Sequence, residues 1–482
     1  MIKVSYISNN ENSDINYFNN FKLEDLLKWL NFIELNNEEE ALRVVSFLKG
    51  HDHFDIFIMS KSLKILNEIY KIYDEVRLVY EVNDFISVEE LRKKVMQNNL
   101  FTICLPYDIL TQELMKNIKL NGIKVLTKVN TDIELYKAVL AGVDGVISND
   151  LNRAKIEADL VMMPLLVSHR GFHEKFVENS VEAGLEGYNH GADFLEMDVH
   201  LTKDLKVVVN HDETLGRTYN KDFKIKNENY DKLKTAKMRK GDLVYNSYLP
   251  LLSEFDQNIP ADFNFLIEVK TETKFEAIKI GEEINKLKRN FQVMTFYPWT
   301  LIPLASVIKN NSNGFLIDYK DKGEVFNKIL RIVNKYRVTV NPYYENDNIH
   351  YREQFFKRMV EYAPWGIKLD FLNKAIKEGF DKLNSDYIHL LGELPKRLVT
   401  NNDLTFEFND NNKELVLSDD KGKLLTYQVC YPFGNELGLV IKDNKITSVS
   451  KKGEMYLYLT HKFNFLNEEI KVASDLIRVS IN

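Results

Sequence analysis

The chain is poor in cysteine and in long apolar runs, and both shortages restrict what it can be. Only two cysteines occur among 482 residues, Cys104 and Cys430, and neither belongs to a CxxC motif. A disulfide framework and a cysteine-based zinc site are therefore not expected, and a reducing compartment fits best. No stretch approaches the roughly 18 consecutive apolar residues of a membrane span, and the first residues lack the apolar core of a secretory signal. The sequence predicts a soluble, cytoplasmic protein without a transmembrane segment.

An excess of positive charge is also missing. Lys and Arg number 64 against 71 Asp and Glu, a formal net charge of −7. This balance argues against a chain-wide basic surface, so no nucleic-acid partner is expected. With 44% hydrophobic and 28% charged residues the composition is that of a globular protein. At roughly 150 residues per domain, the length predicts about three domains.

Hydrophobic patterning divides the chain into three predicted domains, 1–160, 161–400 and 401–482. The first alternates short β-branched runs with amphipathic stretches, which predicts parallel β/α structure. The second repeats that rhythm with enough strands to close a TIM-type (β/α)8 barrel. In the third, short β runs are separated by turn signals such as DDKGK, which predicts a small antiparallel β domain, most simply a sandwich.

The first two segments share an internal repeat. Residues 125–149 align without gaps on residues 362–386, an offset of 237 (362 − 125), and FIELN (32–36) matches LIEVK (266–270) at an offset of 234 (266 − 32). A slowly drifting offset is typical of a decayed duplication with small insertions. The alternative is that any two β/α segments look alike.

Four short polar clusters close predicted strands of the middle segment. They are His169-Arg170-Gly171 after PLLVS, Glu196-Met197-Asp198 within FLEMDV, His211-Asp212 after VVVN, and Glu268-Val269-Lys270 after FLI. Within a strand, residues i and i+2 share one face. In a β/α barrel, side chains at the carboxyl ends of the strands converge on the active site.

The residue types in these clusters suit one kind of chemistry. Three carboxylates without cysteine favour a hard divalent cation such as Mg²⁺ or Ca²⁺. Two histidines can share the roles of general base and general acid, while Arg170 and Lys270 suit a phosphate. Each cluster alone is more often an ordinary surface feature, but together they indicate metal-assisted phosphodiester cleavage.

The stretch HRGFHEKFVENSVEAGLEGYNHGADFLEMDVHLTKDLKVVVNHDETLGRT (169–218) resembles the glycerophosphodiester phosphodiesterases, which are β/α barrels. The resemblance extends from about residue 166 to 389. It implies hydrolysis of a glycerophosphodiester to sn-glycerol 3-phosphate and an alcohol, with a small-molecule substrate and a divalent metal ion. Two departures, Val177 for the usual proline and Leu205 for the usual glycine, are expected to be turn changes. Residues 384–387 only loosely echo the family's T-D-x-P.

Residue by residue, the resemblance implies the following roles. The acid/base pair is His169 and His211; the metal ligands are Glu196, Asp198 and Glu268; Arg170 and Lys270 act on the phosphate; Glu178 and Asn179 support the site; and Trp365 contacts substrate at the pocket rim. Which histidine is the base stays open, as does the choice between direct attack by water and a cyclic intermediate.

The same resemblance makes residues 1–160 a degenerate, non-catalytic copy of the barrel. Glu34 stands at the position of Glu268, Asn36 replaces the lysine of Lys270, and no counterpart of HRG, E-x-D or HD-x-T occurs. Such a copy could act as scaffold, lid or dimer surface. An unrelated α/β domain is the alternative.

Two further functions stay open for the whole chain. One is a phospholipase D-like lyase that forms a cyclic phosphate, and the other is a non-catalytic phosphodiester-binding protein. Aromatic residues of the C-terminal segment are expected in its core, with a glycan-binding face as the alternative. Head-group preference and a homo-oligomer formed through either flanking domain are left open.

Overall fold

The computed structural model describes most of the chain: residues 6–7, 31–35, 37–39, 41–42, 46, 56–73, 76–148, 160–308, 312–318, 326–401, 403–408 and 413–482. Asn36 lies outside the described residues. No helix in these ranges has both the length and the apolar character needed to cross a membrane.

The N-terminal part forms one sheet of seven parallel strands. The strands are Tyr6–Ile7, Asn31–Glu34, Ile56–Ser60, Arg77–Glu81, Thr102–Cys104, Lys124–Lys128 and Gly145–Ile147. The last six lie side by side in chain order, and the first strand pairs with the last. The helices Leu63–Ile72, Val88–Gln97, Gln112–Lys119 and Asp132–Ala141 connect them, each with a Ser or Thr side chain capping its first turn.

The middle part forms the predicted TIM-like barrel. Its parallel strands are Leu165–Ser168, Phe194–Leu201, Asn264–Val269, Phe291–Thr295, Asn313–Ile317, Val338–Pro342 and Lys382–Ser385. Residues 362–365 make parallel bridges to both neighbours and occupy the seventh of the eight positions. The last strand pairs with the first, so the barrel is closed. Apolar side chains of five strands, including Val167, Phe194 and Leu266, pack in its interior.

Helices surround this barrel, and one predicted strand has a different role. These helices are Val181–Asn189, Leu252–Asn258, Lys274–Ile284, Pro298–Val307, Phe326–Tyr336, Ile349–Lys357, Leu372–Lys377 and Ile388–Leu391, whereas the short helix Tyr230–Leu233 packs in the core of the insertion described below. The run VVVN, predicted as a barrel strand, instead forms Val207–Val209 antiparallel to Phe194–Leu201. The five residues 202–206 join it to that strand, and this connection is too short for the crossover that a parallel pair requires.

An insertion follows this antiparallel strand. It contains a β-hairpin of Lys237–Lys240 and Leu243–Tyr248 and has its own small core around Leu215, Tyr219 and Met238.

The C-terminal part consists of short strands that mostly pair antiparallel. They are Leu398–Thr400, Asp403–Phe406, Lys413–Glu414, Leu417–Asp419, Gln428–Cys430, Val440–Lys442, Lys445–Ser448, Gly453–Phe465, Glu468–Ala473 and Ile477–Ile481. One pairing, between Asp403–Phe406 and Ile477–Ile481, is parallel. Leu398–Thr400 pairs with Leu417–Asp419 across the predicted boundary at residue 401.

Side chains from the barrel complete the N-terminal part. Met359, from the turn after the helix Ile349–Lys357, is buried among Phe57, Val79 and Leu126 of the seven-stranded sheet. Arg77, which is also buried, donates to the side chain of Asn334 and to the Met359 carbonyl. The two parts therefore share a core.

Candidate active site

Several of the predicted site residues lie in or directly after neighbouring barrel strands. His169 directly follows the strand Leu165–Ser168. In the next two strands, Asp198 and Glu268 are paired neighbours, so they reach the same level of the sheet.

The carboxylates of Glu196, Asp198 and Glu268 form a buried cluster. One oxygen atom of each lies within 4.8 Å of the others. Asp198 Oδ1 is buried and accepts no hydrogen bond from the described residues. Buried carboxylates this close repel one another unless a cation is bound between them. Because all the donors are oxygen atoms, the set fits Mg²⁺ or Ca²⁺.

Burial and mutual repulsion change the titration of these acids. Burial, together with the charge of Asp198, raises the pKa of Glu196 well above its ordinary value and that of Glu268 to about 7. For Asp198 burial acts in the same direction, but Lys270 and Arg170 outweigh it and hold the pKa of this carboxyl well below its usual range. Asp198 is thus the most acidic of the three.

Two basic side chains border the cluster. Arg170 Nε lies 3.3 Å from Asp198 Oδ2, and its Nη1 donates to Glu178 Oε1 at 3.0 Å. Lys270 Nζ lies 2.9 Å from Glu268 Oε1 and 3.3 Å from Asp198 Oδ1. Both cations therefore balance part of the negative charge of the carboxylate cluster.

Local backbone geometry explains two residues of the HRG motif. Arg170 has φ +54° and Gly171 φ +78°, both in the left-handed region. A Cβ at Gly171 would lie 2.5 Å from the carbonyl carbon of Ala183, so only glycine fits. This close approach lets the Arg170 amide donate to Glu196 Oε2 at 3.0 Å.

Asn179 makes direct contact with the carboxylate cluster. It too is left-handed, with φ +56°. Its Nδ2 donates to Asp198 Oδ2 at 2.8 Å, and its Oδ1 accepts from the Asp198 amide at 3.2 Å. These two bonds fix the orientation of the Asp198 carboxylate.

His211 is the end of a chain of charged contacts. Its Nδ1 donates to Asp212 Oδ1 at 2.7 Å, and Asp212 Oδ2 accepts from Arg217 Nε at 2.6 Å. Arg217 also donates two bonds of 2.7 Å to Glu178, which completes the link to Arg170. Burial lowers the pKa of His211 and so favours the neutral form of its imidazole.

His169 has a carboxylate partner that the sequence reasoning missed. Its Nδ1 donates to Asp386 Oδ1 at 2.6 Å, and His173 Nε2 donates to the same oxygen at 3.0 Å. These three side chains are close enough together to be considered as ligands of one metal ion. Two ligand atoms on a tetrahedral zinc, with bonds of about 2.0–2.1 Å, would lie about 3.4 Å apart. The 2.6 Å between His169 Nδ1 and Asp386 Oδ1 therefore fits a hydrogen bond better than a shared metal ion. The only signal was that Ser385-Asp386 echoes the family's T-D.

Trp365 lies at the top of the barrel interior. Its ring is 4.8 Å from that of Tyr343 and 5.8 Å from that of Phe296. Its buried Nε1 has no hydrogen-bond partner among the described residues.

A cavity of about 490 Å³ opens beside the cluster. His211, Glu268 and Lys270 line it together with Phe296 and Tyr297. It therefore offers both the polar groups and an aromatic wall to a small ligand.

Comparison with known proteins places this site in a family. Residues 169–300 match the model of the glycerophosphoryl diester phosphodiesterase family. The uncharacterized protein YqiK of Bacillus subtilis (strain 168) is 29% identical over 241 residues, 44% of this chain and 97% of that protein.

Two relatives carry the name glycerophosphodiester phosphodiesterase. One, from Bacillus altitudinis, is 31% identical over 27% of this chain and 55% of its own length. The other, from Caldanaerobacter subterraneus subsp. tengcongensis, is 27% identical over 47% of this chain and 95% of its own length. Residues 169–300 of the barrel therefore match the glycerophosphoryl diester phosphodiesterase family model, and the barrel as a whole is similar to proteins of that name.

Proposed function

We propose that the barrel hydrolyses glycerophosphodiesters to sn-glycerol 3-phosphate and an alcohol. The observation that carries the proposal is the convergence of two carboxylate-paired histidines and two cations on one buried cluster of three acids. The names of its relatives point to the same reaction.

The metal site would be formed by Glu196, Asp198 and Glu268. A bound Mg²⁺ or Ca²⁺ would supply Lewis-acid stabilisation of charge on the phosphate oxygens. Arg170 and Lys270 would neutralise the remaining charge of the phosphodiester as it enters.

The two histidines would move the protons. In both rings Nδ1 is hydrogen-bonded to an aspartate, so proton transfer takes place at Nε2. Burial lowers the pKa of His211 and favours its neutral form, which would accept the proton of the attacking oxygen. His169 then donates a proton to the leaving alkoxide. Trp365 and Phe296 would contact the glycerol or the head group.

The test is phosphorus NMR of the full chain with glycerophosphocholine, with Mg²⁺ or Ca²⁺ and again with EDTA. We expect metal-dependent glycerol 3-phosphate, and its loss in His169→Ala and His211→Ala. A persistent cyclic phosphate would favour the lyase. No turnover despite bound metal would favour a phosphodiester-binding protein.

The N-terminal sheet is proposed to be a degenerate copy of the barrel. Strand starts recur at nearly constant spacing: Ile56 and Phe291 are 235 residues apart, and Gly145 and Lys382 are 237 apart. Its first and last strands pair as those of the barrel do. The sequence contains no histidine from residue 56 to 148, so the copy lacks an acid/base pair there.

A further inference from the structure

The hairpin of the insertion presents apolar side chains at its tip. Gly241 and Asp242 form the two-residue turn, and Leu243 and Val244 follow it directly. Leu243 is 68% exposed and Val244 55% exposed. Since successive strand residues point to opposite faces, apolar side chains are exposed on both faces of the hairpin tip.

The insertion is also the basic region of an acidic chain. Between residues 217 and 248 it has nine Lys or Arg and four Asp or Glu, a balance of +5 in a protein of −7. Lys226 and Lys234 are exposed and form no ion pair among the described residues. Lys234 Nζ instead lies 4.4 Å from the centre of the Tyr248 ring. The insertion thus combines an excess of positive charge with an exposed apolar tip.

The hairpin is fixed to the active-site side of the barrel. Lys240 donates to the carbonyls of Glu174 and Phe176, in the loop that also carries His173. Ser247 Oγ donates to Glu182 Oε1 at 3.0 Å, at the start of the first barrel helix. A surface that takes up the tip would therefore lie close to the mouth of the site.

We propose that this hairpin docks the protein onto an anionic phospholipid surface. Leu243 and Val244 would enter the interfacial region while lysines of the same insertion contact the lipid phosphates. Each basic side chain near such a surface adds to binding, and salt weakens that part of the attraction. The combination favours a bilayer, because a purely ionic partner would gain nothing from a protruding Leu-Val pair.

The test is sedimentation of the full chain with vesicles of equimolar phosphatidylglycerol and phosphatidylcholine, and with phosphatidylcholine alone. We expect binding to the anionic vesicles, weakened by salt. The double variant Leu243→Ser/Val244→Ser should lower the partition coefficient about tenfold or more, because two apolar side chains no longer enter the lipid. Lys226→Glu/Lys234→Glu should abolish the preference for anionic lipid.

Leu424→Ser is the matched control, because Leu424 is 72% exposed but lies in the C-terminal part. It should bind as the wild type does. Thermal unfolding of every variant verifies folding independently of turnover, so this test stands even if the proposed reaction fails. Equal binding to both vesicle types, or unchanged binding by the Leu243/Val244 variant, overturns the proposal. If the wild type forms a dimer that the Leu243/Val244 variant does not form, the tip contacts a second copy of the chain. If the protein binds a soluble polyanion without lipid, the basic insertion contacts a polymer. Either result overturns the proposal.

Discussion

The Asp386 carboxylate should help His169 to act as the proton donor, and Asp386→Asn tests this directly. The substitution keeps the shape of the side chain and removes its charge from the 2.6 Å contact with His169 Nδ1. At about 4 Å between charge centres, an ion pair is worth about 1 kcal/mol in water and about 4 kcal/mol at an effective dielectric of 20. Because Asp386 is half exposed, an intermediate value applies. We expect removal of its charge to raise the activation free energy by about 2 kcal/mol, which is about a 30-fold fall in kcat.

The assay compares two substrates in this variant. With an alkyl alcohol as leaving group, kcat should fall and KM should stay unchanged. With a p-nitrophenol leaving group, which needs no proton, the loss should largely disappear. His173→Gln, which removes the second donor to the same oxygen, should have the smaller effect. Equal losses for both substrates, or a loss below about threefold with the alkyl one, would refute the reasoning.

Three other outcomes are expected. Burial and the charge of Asp198 raise the pKa of Glu268 to about 7, so metal binding at neutral pH should release protons and should weaken as the pH falls below 7. Calorimetry in buffers of different ionisation enthalpy measures the proton release, and a binding heat that does not depend on the buffer would contradict the prediction. Glu34→Ala should leave turnover unchanged whereas Glu268→Ala abolishes it, and comparable losses would disprove the degenerate copy. Leu205 has φ +61°, so Leu205→Gly should stabilise the protein by up to about 1 kcal/mol in thermal unfolding, an increase that the exposed control Leu424→Gly should not give.

The barrel could be predicted because parallel strands buried on both faces are continuous apolar runs. PLLVS and FLI were recognisable in this way. The seventh and eighth positions, residues 362–365 and Lys382–Ser385, were not, because they contain proline or polar residues. The prediction of a barrel strand at VVVN was wrong for the opposite reason. This run is apolar, yet the short connection before it permits only an antiparallel pairing.

Within the site, the sequence predicted which residues gather but not how they are held. The motif brought Glu196, Asp198 and His169 together because the two acids lie within one barrel strand and the histidine directly follows its neighbour. Asp386 lies 217 residues from its partner His169, and no local pattern indicates a contact over that distance. For Asn179 the sequence predicted only a supporting role. Its direct hydrogen bond to Asp198 was not predicted, because the bond depends on a left-handed backbone at Asn179 that the sequence does not reveal.

The buried Met359 has a consequence for the history of the chain. A deletion of the N-terminal sheet would expose Met359 and leave Asn334 without its Arg77 partner. The barrel has thus become dependent on a neighbour that, in our proposal, no longer performs chemistry. Loss of that neighbour would uncover apolar surface of the barrel, so its persistence needs no second activity to explain it.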